Sequence, residues 1–415
     1  MTAHLDTQLN EELSLGTDYE ALARKFRPLF DEIRQGALQR EQDRALPYEQ
    51  IKQLAAAGFG AVRVPLRYGG AGASLPQLIE LLTELAEADS NIPQALRGHF
   101  AFVEDRLNAH ATSDQSIWFE RFVSGDLVGN AWTEIGEVVI GDVITKVHAV
   151  EGDSQWKVTG QKYYSTGSIF ADWIDLFAQR TDNDEFVIAA IPARQAGITH
   201  RDDWDGFGQR TTGSGTSTYD NALVDADHVY DFSTRFKYQT AFYQLTLLAV
   251  LAGNVRAAAR EVAALAHGRK RVYSHGAADV WNQDPQIQQV IGEATARGFA
   301  ATAIAVRSAE ASQRAYEARF IGGEALEYEA NVDAELDSAK GQVVLVELSL
   351  QATSEVLNAL GASGVSDTKG LDRFWRNSRT ASSHNPVVFK ARIIGDNAIN
   401  GTEPPYVWQI GSQKN

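Results

Sequence analysis

The sequence predicts an α+β protein in three consecutive parts. These are an N-terminal helical domain (residues 1–128), a middle antiparallel, β-barrel-like domain (129–231) and a C-terminal four-helix bundle (232–415). Three observations predict it. Apolar residues recur at three- and four-residue spacing through the first third. From about Gly129 short runs rich in Val, Ile, Thr and aromatics, divided by turn residues, replace them. Long Ala-rich helical segments then fill the remainder.

In the first part, "YEALARKFRPLFDEIRQGAL" and "PYEQIKQLAAAGF" carry the helical spacing, with Gly58 as a stop signal. After "RVPLRYGGAGAS", "LPQLIELLTELAEAD" sets Leu78, Leu81, Leu82 and Leu85 on one face, and a further helix is expected through "QALRGHFAFVEDRL". In the second part, "DLVGNAWTE", "DVITKVHAVEGDSQWKVTGQKYYSTG", "DWIDLFAQR", "EFVIAAIPA" and "STYDNALVDADHVY" read as strands. Turns are expected at Glu151-Gly152-Asp153 and Thr181-Asp182-Asn183-Asp184. The third part contains three segments much longer than an average globular helix, beginning "FYQLTLLAVLAG", "DPQIQQVIGEAT" and "ELDSAKGQVV". Small residues on several faces suit a bundle, often one that packs across subunits.

Composition narrows the function classes. A net charge of −16 without a basic stripe argues against nucleic-acid binding. The acidic, polar opening "MTAHLDTQLNEELSLG" shows no leader pattern, and "LTLLAVLAG" is too short to span a bilayer; a cytoplasmic, non-membrane protein is expected. There is no cysteine, and the single methionine is Met1. Disulfides, thiolate metal sites and cysteine nucleophiles are therefore excluded. Chance or lineage bias, hardening against oxidation and sulfur economy all account for the sulfur-poor composition.

The common catalytic motifs are missing. No strand–GxGxxG–helix unit, Walker loop, HExxH or GxSxG elbow occurs, and the nine histidines lack metal-ligand spacing, so no metal is expected. "YGGAGAS" reads as a turn between helices rather than a phosphate cradle.

In order, "YGGAGAS", "GNAWTE", "GQKYYSTGS", "WDGFGQRTTGSGT", "NALGASG" and "RFWRNSRTASSHNP" resemble segments of the acyl-CoA dehydrogenase superfamily along nearly the whole chain. The resemblance implies that a flavin lies between the β domain and the C-terminal bundle. Thr133 and Glu134 then match the strand end beside the isoalloxazine, and Tyr164 to Thr166 the strand on its other side. Dehydrogenases of this superfamily carry their base in a Glu-Gly-Thr motif near the C-terminus. Here the stretch reads Ile399-Asn400-Gly401-Thr402, and an amide accepts no proton at neutral pH. The alternative base position lies on the first long C-terminal helix, yet no acidic residue occurs between Asp231 and Glu261. Glu403 lies beyond Gly401 and would need a different backbone path.

"DRFWRNSRTASSHNPVVFKARIIGD" is similar to the C-terminal signature of another branch, the two-component flavin monooxygenases of the dibenzothiophene monooxygenase and sulfone-metabolism type. This resemblance implies an enzyme whose FMNH2, supplied by a separate NAD(P)H-dependent flavin reductase, reacts with O2 to give a C4a-hydroperoxide that oxygenates the substrate. It implies a homotetramer and a small-molecule substrate, with organosulfur compounds favoured by the sulfur-poor composition. FAD is the alternative flavin. An acyl-CoA dehydrogenase or oxidase with a displaced base, an N- or aromatic-hydroxylating monooxygenase, and a non-enzymatic superfamily member are the other readings.

By the same resemblance, His384 is the histidine beside the flavin, the candidate for contacting the peroxide or acting as acid/base. His99 matches a pocket position, Asn130 and Thr166 polar groups near the ring, and Trp204 a pocket aromatic. Arg271, Ser363 and Arg376 are candidates for the flavin phosphate. His99 and Trp204 also read as core residues, and Arg271 as a solvated charge. Two departures stand out. Ala381 occupies the place of a second histidine found in relatives with aromatic sulfur substrates, and Ser363 stands where they have an arginine.

Overall fold

The computed structural model describes residues 17–136, 140–149, 152 and 154–407. Helices α1 (Tyr19–Gln35), α2 (Ala37–Asp43), α3 (Tyr48–Ala56), α4 (Leu75–Ala88), α5 (Asn91–Ala95), α6 (Arg97–Ala109) and α7 (Ser116–Val123) form the N-terminal part. Local sequence sets their ends. The Asp18 carboxylate accepts from the backbone N–H of Ala21 and starts α1. Ser74 and Gln77 form a reciprocal capping box at α4. Gly58 follows α3 with φ of 81°, a backbone setting that favours glycine. Leu78, Leu81, Leu82 and Leu85 are each 0% exposed. Burying one such leucine stabilises the fold by about 2 kcal/mol.

Eight strands follow: β1 (Val128–Ala131), β2 (Lys146–His148), β3 (Gln155–Lys162), β4 (Trp173–Arg180), β5 (Phe186–Pro192), β6 (Ile198–His200), β7 (Ser217–Asp225) and β8 (Val229–Asp231). Their order is β6-β7-β3-β2-β4-β5-β8, with β1 pairing to β4 off this path. The sheet is not wholly antiparallel as the sequence suggested. Both β1 and β2 run parallel to β4. β1 enters from the helical domain rather than through a hairpin, so no turn chemistry dictates its direction. The 181–184 turn joins β4 to β5 and holds Asp184 at φ of 59°. Of the 151–153 turn, Glu151 and Asp153 lie outside the described residues.

The C-terminal part comprises α8 (Gln239–His267), α9 (Pro285–Ile321), α10 (Glu324–Glu355), α11 (Asp372–Ser383) and α12 (Lys390–Asn400). Asp284 caps α9 by accepting from Gln286 and Ile287 N–H, with Pro285 at the first helical position. α8 runs through the middle, packed against α4, α9 and α10. Its first turn is capped from another helix: the Glu335 carboxyl on α10 accepts from Ala241 N–H at 2.9 Å. Burial pushes that carboxyl up to about 8, against the opposing pull of this hydrogen bond and of Lys390. One continuous apolar core joins α1, α3, α4, α6 and α7 to α8, α9 and α10, while the sheet keeps its own core between its faces.

Candidate functional site

The site is built where α6, β1 and the start of α8 meet the end of α11. Gly98 on α6 allows this approach. A Cβ there would lie 2.6 Å from Asn130 Cβ, so the helix rests directly on β1 only because the side chain is absent. Asn130 N–H donates to Thr166 O at 3.2 Å, and the Thr166 hydroxyl shares a 2.8 Å bond with Ser214. Gly167, at φ of 79°, brings the loop after β3 within reach of Ala95 O, where a Cβ would sit at 2.1 Å. Two candidates from separate sequence segments, Asn130 and Thr166, are thus joined.

Asn130 Oδ1 is buried and has no hydrogen-bond donor among the described residues. An orphaned buried acceptor costs about 1–3 kcal/mol, so its retention argues for a bound donor. The ring N–H groups of a reduced flavin are donors of that kind. Around it, Thr133 O accepts from Tyr163 N–H at 3.0 Å, holding the end of β1 to the end of β3. Tyr164 is 42% exposed, sits at φ of 65° and packs edge-on to Trp204 at 5.8 Å between centroids. Trp204 is itself fixed by donating from Nε1 to Gly208 O at 3.2 Å. The polar and aromatic set fits a flavin ring. Glu134 is not part of it. Its carboxylate accepts from Ile144 N–H, Thr145 N–H and the buried Lys162 ammonium, a clamp inside the β domain.

His384 is the C-cap residue of α11 and is exposed in the single chain. The protein packed around it and then the nearby Arg97 charge disfavour its protonated form and lower its pKa below the ordinary histidine value. Asn385 fixes the tautomer. Asn385 Nδ2 donates to Gln244 Oε1 at 2.9 Å, which leaves Oδ1 to accept from His384 Nδ1–H at 3.2 Å. Gln342 Nε2 donates to Asn385 O at 2.7 Å and completes the support from α10. His384 Nε2 therefore presents a lone pair from a neutral ring. Ala381, one turn earlier, is buried in the apolar core.

Three expectations need correction. His99 is not a catalytic group. It is 0% exposed, its Nε2–H donates to Gly60 O at 2.9 Å, and its Nδ1 accepts from Val128 N–H at 3.2 Å. Both nitrogens are committed to backbone, and burial lowers its pKa to about 4. Arg376 is not free for a phosphate. Its guanidinium donates to Glu41 at 2.8 Å, Asp372 at 2.8 Å and Phe207 O at 2.7 Å, tying α11 to the N-terminal domain and the 204–208 loop. Arg271 and Ser363 lie together, but no described hydrogen bond, ion pair or ring contact joins them to the Asn130–Thr166–Tyr164 group. Sequence reasoning passed over the residue that organises them. Arg269 donates to Ser363 Oγ at 3.0 Å and to Arg271 O at 3.1 Å, also reaches Leu360 O, and stacks on Trp281 at 4.1 Å. Lys369 adds a bond to Ser363 O, so cationic groups converge on Ser363.

A second omission is Arg97, two residues before His99. It is 4% exposed and lies over the Tyr243 ring at 5.0 Å. The other buried arginines described all have carboxylate partners: Arg63 with Glu104, Arg106 with Asp105, Arg235 with Asp175 and Arg373 with Glu261. Arg97 has none, and its Nε is a buried, unpaired donor. Only a missing partner marks it out, and a sequence does not display that.

Around the superfamily's C-terminal base position the side chains bond locally. Asn400 is exposed at the end of α12 and donates to Asp396 at 2.7 Å. Glu403 is bonded to Tyr328 and Tyr406. Among the described residues no group of three or more His, Asp or Glu side chains has metal-binding geometry.

Residues 17–126 match the family described as "Acyl-CoA dehydrogenase, N-terminal domain", and residues 245–389 match "Acyl-CoA dehydrogenase, C-terminal domain". The chain is 28% identical over 397 residues to dibenzothiophene monooxygenase of Rhodococcus qingshengii, covering 91% of this chain and 93% of that one. It is 25% identical over 388 residues to the probable FMNH2-dependent monooxygenase SfnC of Pseudomonas putida, covering 91% and 94%. FMN-bound TdsC of Paenibacillus sp. A11-2 superposes with a TM-score of 0.83 at 24% identity, covering 93% of this chain and 98% of that one.

Proposed function

The chain belongs to the acyl-CoA dehydrogenase superfamily, and from that premise we propose that it is a reduced-flavin-dependent monooxygenase acting on a small organosulfur substrate. One observation carries the choice against a dehydrogenase. Among the described residues no carboxylate pairs with Arg97 or His384, and the residue before Gly401 is Asn400. Abstracting an α-proton requires a base with a suitable pKa at that corner, and Asn400 and Glu403 lie elsewhere.

Bound FMNH2 supplies the electrons that place one atom of O2 in the substrate and release the other as water. The chain's own residues bind, orient and dry the site. Asn130 Oδ1 and the Thr166–Ser214 hydroxyl pair would hydrogen-bond the flavin's polar groups. Tyr164 and Trp204 would supply aromatic contact, and Thr133 O keeps the end of β1 tied to β3. Neutral His384 Nε2 would accept a hydrogen bond at the reacting corner. Arg269, with Ser363 and Arg271, supplies charge for the flavin phosphate, in keeping with the FMNH2 use named for the Pseudomonas relative. FAD is the other flavin such a family site can take.

No described contact joins the phosphate cluster to the ring group within one chain, and a site completed across subunits of a homotetramer would account for that. Phe299 on α9 is 80% exposed, and a groove of about 610 Å³ lies beside it between α4, α8 and α9. Such a bare aromatic on a long helix suits a subunit contact. A separate NAD(P)H-dependent flavin reductase, in the cytoplasm, would supply FMNH2. No described helix is long and apolar enough to cross a membrane.

The test supplies FMNH2 from a reductase under isotopically labelled O2 and follows label in products from sulfides, sulfones and sulfinates. Labelled product supports the reading. Anaerobic bleaching of bound oxidised flavin by an acyl-CoA would refute it.

A further inference from the structure

Arg97 lies at the edge of the flavin-ring group, since its neighbour Gly98 contacts Asn130, and it acts on the charge of His384. A guanidinium removed from water without a counter-charge is costly, and the fold offsets that cost at every other described buried arginine but not here. The Tyr243 face offers a cation–π contact in part compensation. Burial lowers the Arg97 pKa only to about 10, so the group is still charged at neutral pH. Its Nε is sealed without an acceptor, whereas its terminal nitrogens, which also lack a protein acceptor, are not among the sealed atoms. The facing groups are the Tyr243 ring and the neutral His384 ring, neither of which supplies negative charge.

We propose that Arg97 is the substrate's anion receptor, and that the enzyme takes a small organic oxyanion with an oxidisable sulfur, a sulfinate, rather than a neutral aromatic sulfide. The planar guanidinium pairs with two oxygens of one group in a bidentate geometry, and its two terminal nitrogens, which are not sealed, are the donors it would use. A sulfinate keeps a lone pair on sulfur while presenting both oxygens to the arginine. The reaction balances as R–SO2⁻ + O2 + FMNH2 giving R–SO3⁻ + FMN + H2O. A sulfur–oxygen bond forms, the O–O bond breaks, sulfur and flavin each give two electrons, and the flavin's two hydrogens leave in water. This assignment rests on the monooxygenase reading but is tested separately from it.

The test is equilibrium binding of methanesulfinate to the protein with oxidised FMN, in wild type, Arg97→Gln and Arg97→Lys, with dimethyl sulfone as the neutral comparison. Losing one partner of a buried charge pair is expected to weaken methanesulfinate binding about 30-fold or more in Arg97→Gln. Arg97→Lys should recover part of it, and dimethyl sulfone and FMN affinities should be unchanged. Equal methanesulfinate affinity in wild type and Arg97→Gln overturns the proposal, as does loss of FMN affinity with methanesulfinate binding intact. Should Arg97→Gln not fold, wild type decides: methanesulfonate must displace methanesulfinate, and a failure to compete overturns the assignment. Arg97-dependent binding without oxygen transfer would leave the anion site standing and remove the monooxygenase reading.

Discussion

His99 gives the sharpest quantitative test because both of its nitrogens and its full burial are defined. The ordinary histidine pKa of 6.5 falls to about 4 in the folded chain, burial being the largest cause. The unfolded chain therefore binds a proton that the folded chain refuses between those values. Stability from this group is present above pH 6.5 and is lost as pH falls, by at most about 1.4 kcal/mol per unit. Between about pH 7.5 and pH 5.0 the loss amounts to about 2 kcal/mol. His99→Gln should be less stable at both pH values because Gly60 O and Val128 N–H lose an aligned partner, yet the acid-induced part of the loss should vanish. Urea unfolding of both proteins at the two pH values measures the difference, and shared contributions from other histidines cancel. If wild type and His99→Gln lose the same stability on acidification, the neutral, backbone-bound assignment of His99 is wrong.

Other consequences of the site can be checked by substitution. His384→Gln should lower product formed per FMNH2 by about 100-fold while hydrogen peroxide release rises; unchanged coupling would remove His384 from the chemistry. Arg269→Met should weaken FMN binding by about tenfold or more, and Arg376→Met should leave it near wild type while lowering thermal stability; fluorescence titration separates the two. Asn400→Glu should not confer acyl-CoA dehydrogenase activity, since that side chain points to solvent at the end of α12; anaerobic flavin bleaching is the readout. The proposed subunit contact at Phe299 requires Phe299→Asp to lower the mass measured by light scattering relative to wild type; equal masses would remove it.

The parts of the fold governed by local pattern were legible in the sequence. The Leu78–Leu85 stripe, the Gly58 stop and the 181–184 turn each follow from neighbouring residues alone. The parallel pairing of β1 and β2 with β4 was not, because strand direction there depends on where a distant helical domain hands the chain over. The same division runs through the site. His384 and Asn130 are candidates by resemblance alone, and the structure adds features a sequence does not carry: an orphaned amide oxygen on Asn130 and a His384 ring bonded to Asn385. His99 was misread because "LRGHFAF" looks the same whether its histidine meets substrate or backbone. Arg376 was misread because Glu41, which takes its charge, lies 335 residues away in the chain. Arg97 and Arg269 were missed for the converse reason. What distinguishes them is the partner one lacks and the cluster the other gathers, and neither is written near them.

The contact between Gly98 and Asn130 also divides what this scaffold can change from what it must keep. One wall of the pocket has no slack: any side chain at 98 would meet the residue that holds the orphaned acceptor. Variation near the proposed site is therefore less constrained at Tyr243, Gln244 and the residues around His384 than at Gly98. A directed-evolution library that includes position 98 would lose those variants to a clash with Asn130, whereas one placed on the α8 and α11 side meets no such backbone approach at Tyr243 or Gln244.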